Sequence, residues 1–130
     1  MSRQRNKEKR LARPFYLTNK SMKVKVFESL EIAQQAIPLL GIKTVHFKSR
    51  DLKVALARTA TGFYAVADAC PHMKASFGKG FCNQFDEIIC PLHEYRFSLH
   101  TGVEGSGQGC DDVAIFPVVI DETGLYIELP

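Results

Sequence analysis

Apolar and polar residues alternate along this chain in short stretches, and glycine, proline and polar turns separate the stretches. Val24 and Val26 alternate with Lys23 and Lys25, the period of two expected of a half-buried strand. Ser29 stands at the head of a short helical run through Ala36, which Pro38 would stop. Thr44 to Phe47 reads as a further strand. Leu52 to Arg58 and Phe63 to Asp68 flank Thr59-Ala60-Thr61-Gly62, a hairpin with a glycine-containing turn. Glu87 to Cys90 and Tyr95 to Ser98 predict two more strands, and Val113 to Ile120 and Leu125 to Leu129 a final hairpin around Asp121 to Gly124. Many short strands at this spacing predict an all-β antiparallel sandwich or barrel.

Length and charge refine this picture. The 130 residues, 45% hydrophobic, suffice for one domain and one core. No apolar run approaches the roughly 18 residues of a membrane span, and the basic N-terminus has no apolar stretch behind it, so neither a span nor a secretory signal is expected. Residues 1–25 carry nine Lys/Arg against one Glu, whereas residues 26–130 carry eight against thirteen Asp/Glu. Residues 1–21 therefore read as a flexible basic arm, a solvated tail rather than a nucleic-acid contact, and residues 22–130 as the folded, acidic domain. Met22, where regular patterning begins, is a second candidate start. An acidic body suits docking onto basic patches of other proteins, or plain solubility.

The chemistry is concentrated in Cys70-Pro71-His72 and Cys90-Pro91-Leu92-His93, separated by residues 73–89. Each places a thiol and an imidazole within one turn of backbone, and together they offer two sulfur and two nitrogen ligands. Zinc accepts such a set. Zinc fingers, however, usually order it as a cysteine pair followed by a histidine pair, whereas here each half supplies one of each. A [2Fe-2S] centre with chemically different irons suits the split. Replacing two thiolates by neutral imidazoles removes negative charge and makes such a centre easier to reduce. Cys82 and Cys110 remain, and are expected as ordinary reduced thiols in a cytoplasmic protein.

This order of ligands, the proline after each cysteine, and the run from Cys90 through His93-Glu94-Tyr95-Arg96-Phe97 to Gly102 resemble the Rieske motif, in its low-potential ferredoxin class. The likeness covers about residues 22–130. It implies a β-sandwich or barrel base with a small inserted cluster-binding subdomain at about residues 68–105. It implies one [2Fe-2S] cluster per chain, with Cys70 and Cys90 on the inner iron and His72 and His93 on the outer iron near the surface. Respiratory Rieske proteins tie the two loops with a disulfide, but Ala75 and Leu92 stand at those positions here. They also carry hydroxyl donors to cluster sulfur where this chain has Tyr95 and Phe97, which predicts a low potential. Glu94 departs from the glycine usual after the second histidine. The segment Gly105 to Cys110 is glycine-rich and expected to be mobile; Gly78, Gly80 and Gly102 are expected to supply turns. His46 and His100 have no motif partner and read as structural or surface residues.

The resemblance implies a soluble electron carrier with no catalytic residues of its own. It would pass single electrons from a flavin-dependent reductase to a terminal, oxygenase-type enzyme. The small Rieske subunit of an NAD(P)H-dependent nitrite reductase is the alternative, and a structural zinc module stands further off. A complete oxygenase needs two more histidines and a carboxylate for its catalytic iron, and only His46 and His100 are left.

Overall fold

The computed structural model describes residues 22–130, so the expected basic arm lies outside the described residues. The strands form three antiparallel sheets. In the first, β10 (Gly124–Leu129) lies between β1 (Met22–Phe27) and β9 (Val118–Asp121). The second runs β2 (Ile42–Phe47), β3 (Leu52–Thr59), β4 (Gly62–Ala67) and β8 (Ile115–Phe116). The third is a small sheet of β5 (Phe81–Cys82), β6 (Glu87–Ile89) and β7 (Arg96–Ser98). Among the described residues no helix is long and apolar enough to cross a membrane.

Local chemistry sets the elements. The Ser29 hydroxyl accepts the Ile32 N–H at 3.1 Å and caps helix α1 (Leu30–Ala36), which ends ahead of Pro38. The β3–β4 connection closes to two residues, Ala60 and Thr61, because Thr59 pairs directly with Gly62. One expectation needs correction: Val113 to Ile120 is not one strand. Pro117 has no N–H to give a ladder and divides the run into β8, which joins the second sheet, and β9, which joins the first. Strand β5, only two residues long, carries no periodic signal and was not anticipated.

Strand β3 is buried on both faces. Val54 and Leu56 join Ala33, Ile37, Phe63, Ala65, Leu125, Ile127 and Leu129 in the base core between the first two sheets. Ala55 and Ala57 join Val66, Cys70, Phe77, Cys82, Ile88, Cys90 and Phe97 in a second core between the base and the small sheet. Burying a valine or leucine contributes about 1.5–3 kcal/mol, and alanine much less. The alanines therefore contribute flatness, and Phe77 and Phe97, packed edge-to-face at 5.5 Å, fill the space above them.

The expected glycine turns are partly something else. Gly102 has φ +82°, but Gly78 and Gly80 do not have the positive φ that requires glycine. They permit close approach instead. A Cβ at Gly80 would lie 2.1 Å from the Ile89 carbonyl and 3.2 Å from Pro91, so its absence lets the chain leaving the first ligand loop pass under the second. Gly80→Ala is accordingly expected to cost about 1–3 kcal/mol in urea denaturation. Gly105→Ala, whose Cβ would meet the Glu87 carboxylate end at 3.1 Å, should stay within about 0.5 kcal/mol.

Candidate metal centre

The two ligand segments share one backbone design. In the first, the Cys70 N–H donates to the Ala75 carbonyl at 2.9 Å and the Lys74 N–H to the Cys70 carbonyl at 2.6 Å. In the second, the Cys90 N–H donates to the Tyr95 carbonyl at 2.9 Å and the Glu94 N–H to the Cys90 carbonyl at 2.9 Å. Lys74 and Glu94 occupy equivalent positions and both adopt left-handed backbone, with φ +63° and +60°. The glycine usual at the second position is thus explained by geometry, and Glu94 holds that conformation without glycine's freedom. Pro71 and Pro91 fix φ directly after each cysteine.

The fold sorts the four expected residues by chemistry, placing Cys70 and Cys90 in one core and the His72 and His93 rings beside each other. Cys70 and Cys90 are fully buried in the second core. The imidazoles stand above them, His72 half-buried and His93 exposed, with ring centroids 4.9 Å apart. His72 Nδ1 is buried and has no hydrogen-bond partner. An orphaned lone pair of this kind costs free energy unless something accepts it, and a metal does. Among the described residues, no three His, Cys, Asp or Glu side chains converge tightly enough to hold a single ion. Two thiols paired in the core and two imidazoles paired nearer the surface are a donor set that fits a two-iron centre with chemically unlike irons.

Burial pushes the Cys70 thiol above its ordinary value; a backbone hydrogen bond from His72 opposes this and the Cys90 side chain reinforces it. A metal ion taken up there displaces that proton. Cys82, deeper in the core, is pushed by burial up to about 12, and Asp86 adds to the shift; it is an inert thiol. All four cysteines are free.

Tyr95, which the resemblance marks only as an aromatic at a donor position, stacks on His72 at 4.0 Å with the planes 16° apart. It thus braces a residue of the first loop from the second. Phe97 is fully buried and offers no donor. Ala75 and Leu92 line one shallow cleft of about 340 Å³ between the loops. His46 is a surface residue 3.5 Å from the Asp51 carboxylate.

Two anchoring residues gave no motif signal. Asp86 lies in the turn before β6, where its carboxylate is 2.9 Å from His100 Nε2 and accepts the Thr61 hydroxyl at 2.7 Å. This joins the small sheet to the β3–β4 turn and gives His100 its structural role. Burial pushes the Asp86 carboxyl up, but hydrogen bonds from His100, Thr59 and Thr61 outweigh that and hold it below the ordinary value. The second residue is Glu104. Despite its glycines, the following loop is gathered around this carboxylate, which accepts N–H groups of Ser106 at 2.7 Å, Gln108 at 3.0 Å and Gly109 at 3.0 Å, and the Ser106 hydroxyl.

Those bonds, the Ser106 hydroxyl foremost, hold the Glu104 carboxyl below the ordinary 4.5. A lowered folded-state pKa stabilises the closed loop fully above the unfolded value and loses that effect as pH falls through the lowered one. Amide hydrogen exchange at Gln108 and Gly109 should therefore show constant protection above about pH 5, falling with further acidification. Glu104→Gln should remove that pH dependence.

Comparison with known proteins agrees with this site. Residues 22–117 match the family model for the Rieske [2Fe-2S] domain. The ferredoxin subunit of 3-phenylpropionate/cinnamic acid dioxygenase from Escherichia coli K12 is 32% identical over 77 residues, covering 59% of this chain and 73% of that protein. The structure titled as the complex of reduced oxygenase and oxidized ferredoxin in carbazole 1,9a-dioxygenase contains a chain that superposes with a TM-score of 0.66 at 26% identity, over 82% of this chain and 91% of that one. A Mycobacterium tuberculosis chain described as an NADH-dependent nitrite reductase small subunit shares the fold, with a TM-score of 0.68 at 16% identity over 84% of this chain and 97% of that one. With the matching family model spanning most of its length and the Cys/His loops folded together at one end, this chain belongs to the Rieske [2Fe-2S] domain family.

Proposed function

We propose that this chain is a Rieske-type ferredoxin. Cys70 and Cys90 would hold one iron and His72 and His93 the other, and the protein would pass electrons from a flavin-dependent reductase to a terminal oxygenase-type enzyme. The observation that carries the reading is the sorting of the donors, with two buried sulfurs below two imidazoles and His72 Nδ1 left unpaired. When bound, a [2Fe-2S] centre takes up and releases one electron at a time. The chain's own residues do the rest. The apolar core around Cys70 and Cys90 excludes water from the sulfur end. Tyr95 holds the His72 ring in place. Exposed His93 keeps the nitrogen end at the surface, where a partner can reach it. The dioxygenase ferredoxin subunits among the relatives, and the ferredoxin–oxygenase complex among the similar structures, support the choice of acceptor. The four free thiols accord with work in the cytoplasm, a reducing compartment.

A nitrite reductase small subunit is the second reading. Glu94, in place of the ferredoxin glycine, favours it, and the shared fold is compatible with both. Reduction of an oxygenase by the purified chain and a flavin reductase supports the first reading. Specific co-purification with a nitrite reductase large subunit, without oxygenase reduction, supports the second.

Two outcomes follow from the ligand assignment and from the residues at the two donor positions, Tyr95, whose ring stacks on His72, and Phe97, which has no hydroxyl. Potentiometric titration should give a midpoint toward the bottom of the Rieske range, which runs from roughly −150 to +300 mV; a value well above zero contradicts the argument from missing donors. His93→Cys should retain a cluster at a lower potential, because a thiolate adds negative charge, whereas His93→Ala should abolish the mixed-ligand spectrum.

A further inference from the structure

The two ligand loops close in the same way but have different supports. Residues 90–95 form the turn of the β6–β7 hairpin, and Ile89 pairs with Arg96 directly beneath it. Residues 70–75 have no such hairpin. The chain enters from β4, which pairs with β3 and β8, and leaves through Ser76 and a 3-10 turn at Phe77–Lys79. The ladder that closes the second loop therefore has no counterpart at the first.

Asp68 supplies the missing closure. Its carboxylate is buried, with 8% of the residue exposed. Oδ1 accepts the Gly78 N–H at 3.0 Å, and Oδ2 accepts the Ser76 hydroxyl at 2.8 Å and the Thr44 hydroxyl at 3.1 Å. Ser76 and Gly78 lie just beyond the loop, and Thr44 lies on β2, an edge strand of the base. The Asp68 N–H donates to the Lys53 carbonyl at 3.0 Å, which anchors the residue to β3. Gly78 is part of the device, because a Cβ there would lie 2.1 Å from Thr44 Oγ1. All three partners of the carboxylate are neutral donors, and no cation pairs with it among the described residues. A buried carboxylate without a counter-ion is costly unless its hydrogen bonds are complete, and here they run from the loop's entry to its exit and to the base.

The geometry points to Asp68 as the positioning residue of the first ligand loop: its carboxylate clamps the segment carrying Cys70 and His72 onto β2. The inference rests on the ligand assignment proposed above. It also explains why the first loop keeps its shape without a hairpin.

The test compares the full chain with its Asp68→Asn, Asp68→Ala and Thr44→Val variants, each reconstituted anaerobically with iron and sulfide. Three quantities are read: the rate of visible bleaching by excess iron chelator, the electron paramagnetic resonance g-values after reduction, and the midpoint potential. Bleaching of Asp68→Ala is expected to be at least tenfold faster than wild type, with Thr44→Val and Asp68→Asn between the two. Asp68→Asn should also show shifted g-values and a displaced midpoint, because a loop held differently presents its ligands differently, changes that a loss of stability alone would not produce. If Asp68→Ala does not fold, the two milder variants decide the matter. Wild-type bleaching rate, g-values and potential in the folded variants overturn the proposal. A wild-type chain without a mixed Cys/His signal overturns the ligand assignment and this proposal with it, so the two failures are distinct.

Discussion

Strand β3 is covered on both faces, and the position of the ligand loops depends on that double burial. Val54 and Leu56 lock it to the base core, while Ala55 and Ala57 present a flat surface to the second core. Phe77, Phe97, Cys70 and Cys90 pack in that second core. The two cysteines are therefore core residues as well as candidate ligands. Their sulfurs stay buried because the strand beneath them is held from the other side. A change that loosened β3 would be felt at both cores, since interiors at this packing density transmit strain.

Above that floor, closure of each loop falls to backbone hydrogen bonds and a few well-bonded carboxylates. The paired cysteine carbonyl and N–H bonds give both segments one shape, which brings the imidazoles together above the sulfurs. Asp68, Asp86 and Glu104 then serve three different boundaries: the first loop against β2, the small sheet against the β3–β4 turn, and the glycine-rich segment on itself. Each is filled mainly by neutral N–H and hydroxyl donors, with His100 beside Asp86 the exception. Such networks fix geometry at modest net energetic gain, and fixed geometry is what an electron-transfer centre requires of its protein.

Much of this was legible in the sequence. Period-two alternation located β1, glycine-containing turns located the β3–β4 and β9–β10 hairpins, Ser29 and Pro38 bounded the helix, and the ligand dipeptides with their prolines carried the site. Legibility failed where the cause is not local. Pro117 divides a continuous apolar run because the two halves pair in different sheets, and nothing in the run itself announces that. Strand β5 is too short to have a period. Gly78 and Gly80 look like turn residues, yet their lack of a side chain serves close approach to Thr44 and Ile89. Asp68 and Asp86 resemble any other acidic residue until the chain around them is folded, because donors to them come from distant positions such as Thr44 and Thr61. Tyr95 was visible as an aromatic, but its stacking on His72 is a contact between separate loops.

The central claim is that two sulfurs and two imidazole nitrogens from these loops share one [2Fe-2S] centre. The most direct test is nitrogen electron–nuclear double resonance on the dithionite-reduced, anaerobically purified full chain, with iron and acid-labile sulfide assayed alongside. The account predicts a rhombic signal of low average g, couplings to two distinct histidine nitrogens, and two irons per chain. A signal without nitrogen couplings, or a colourless zinc-containing protein without any signal, would contradict it.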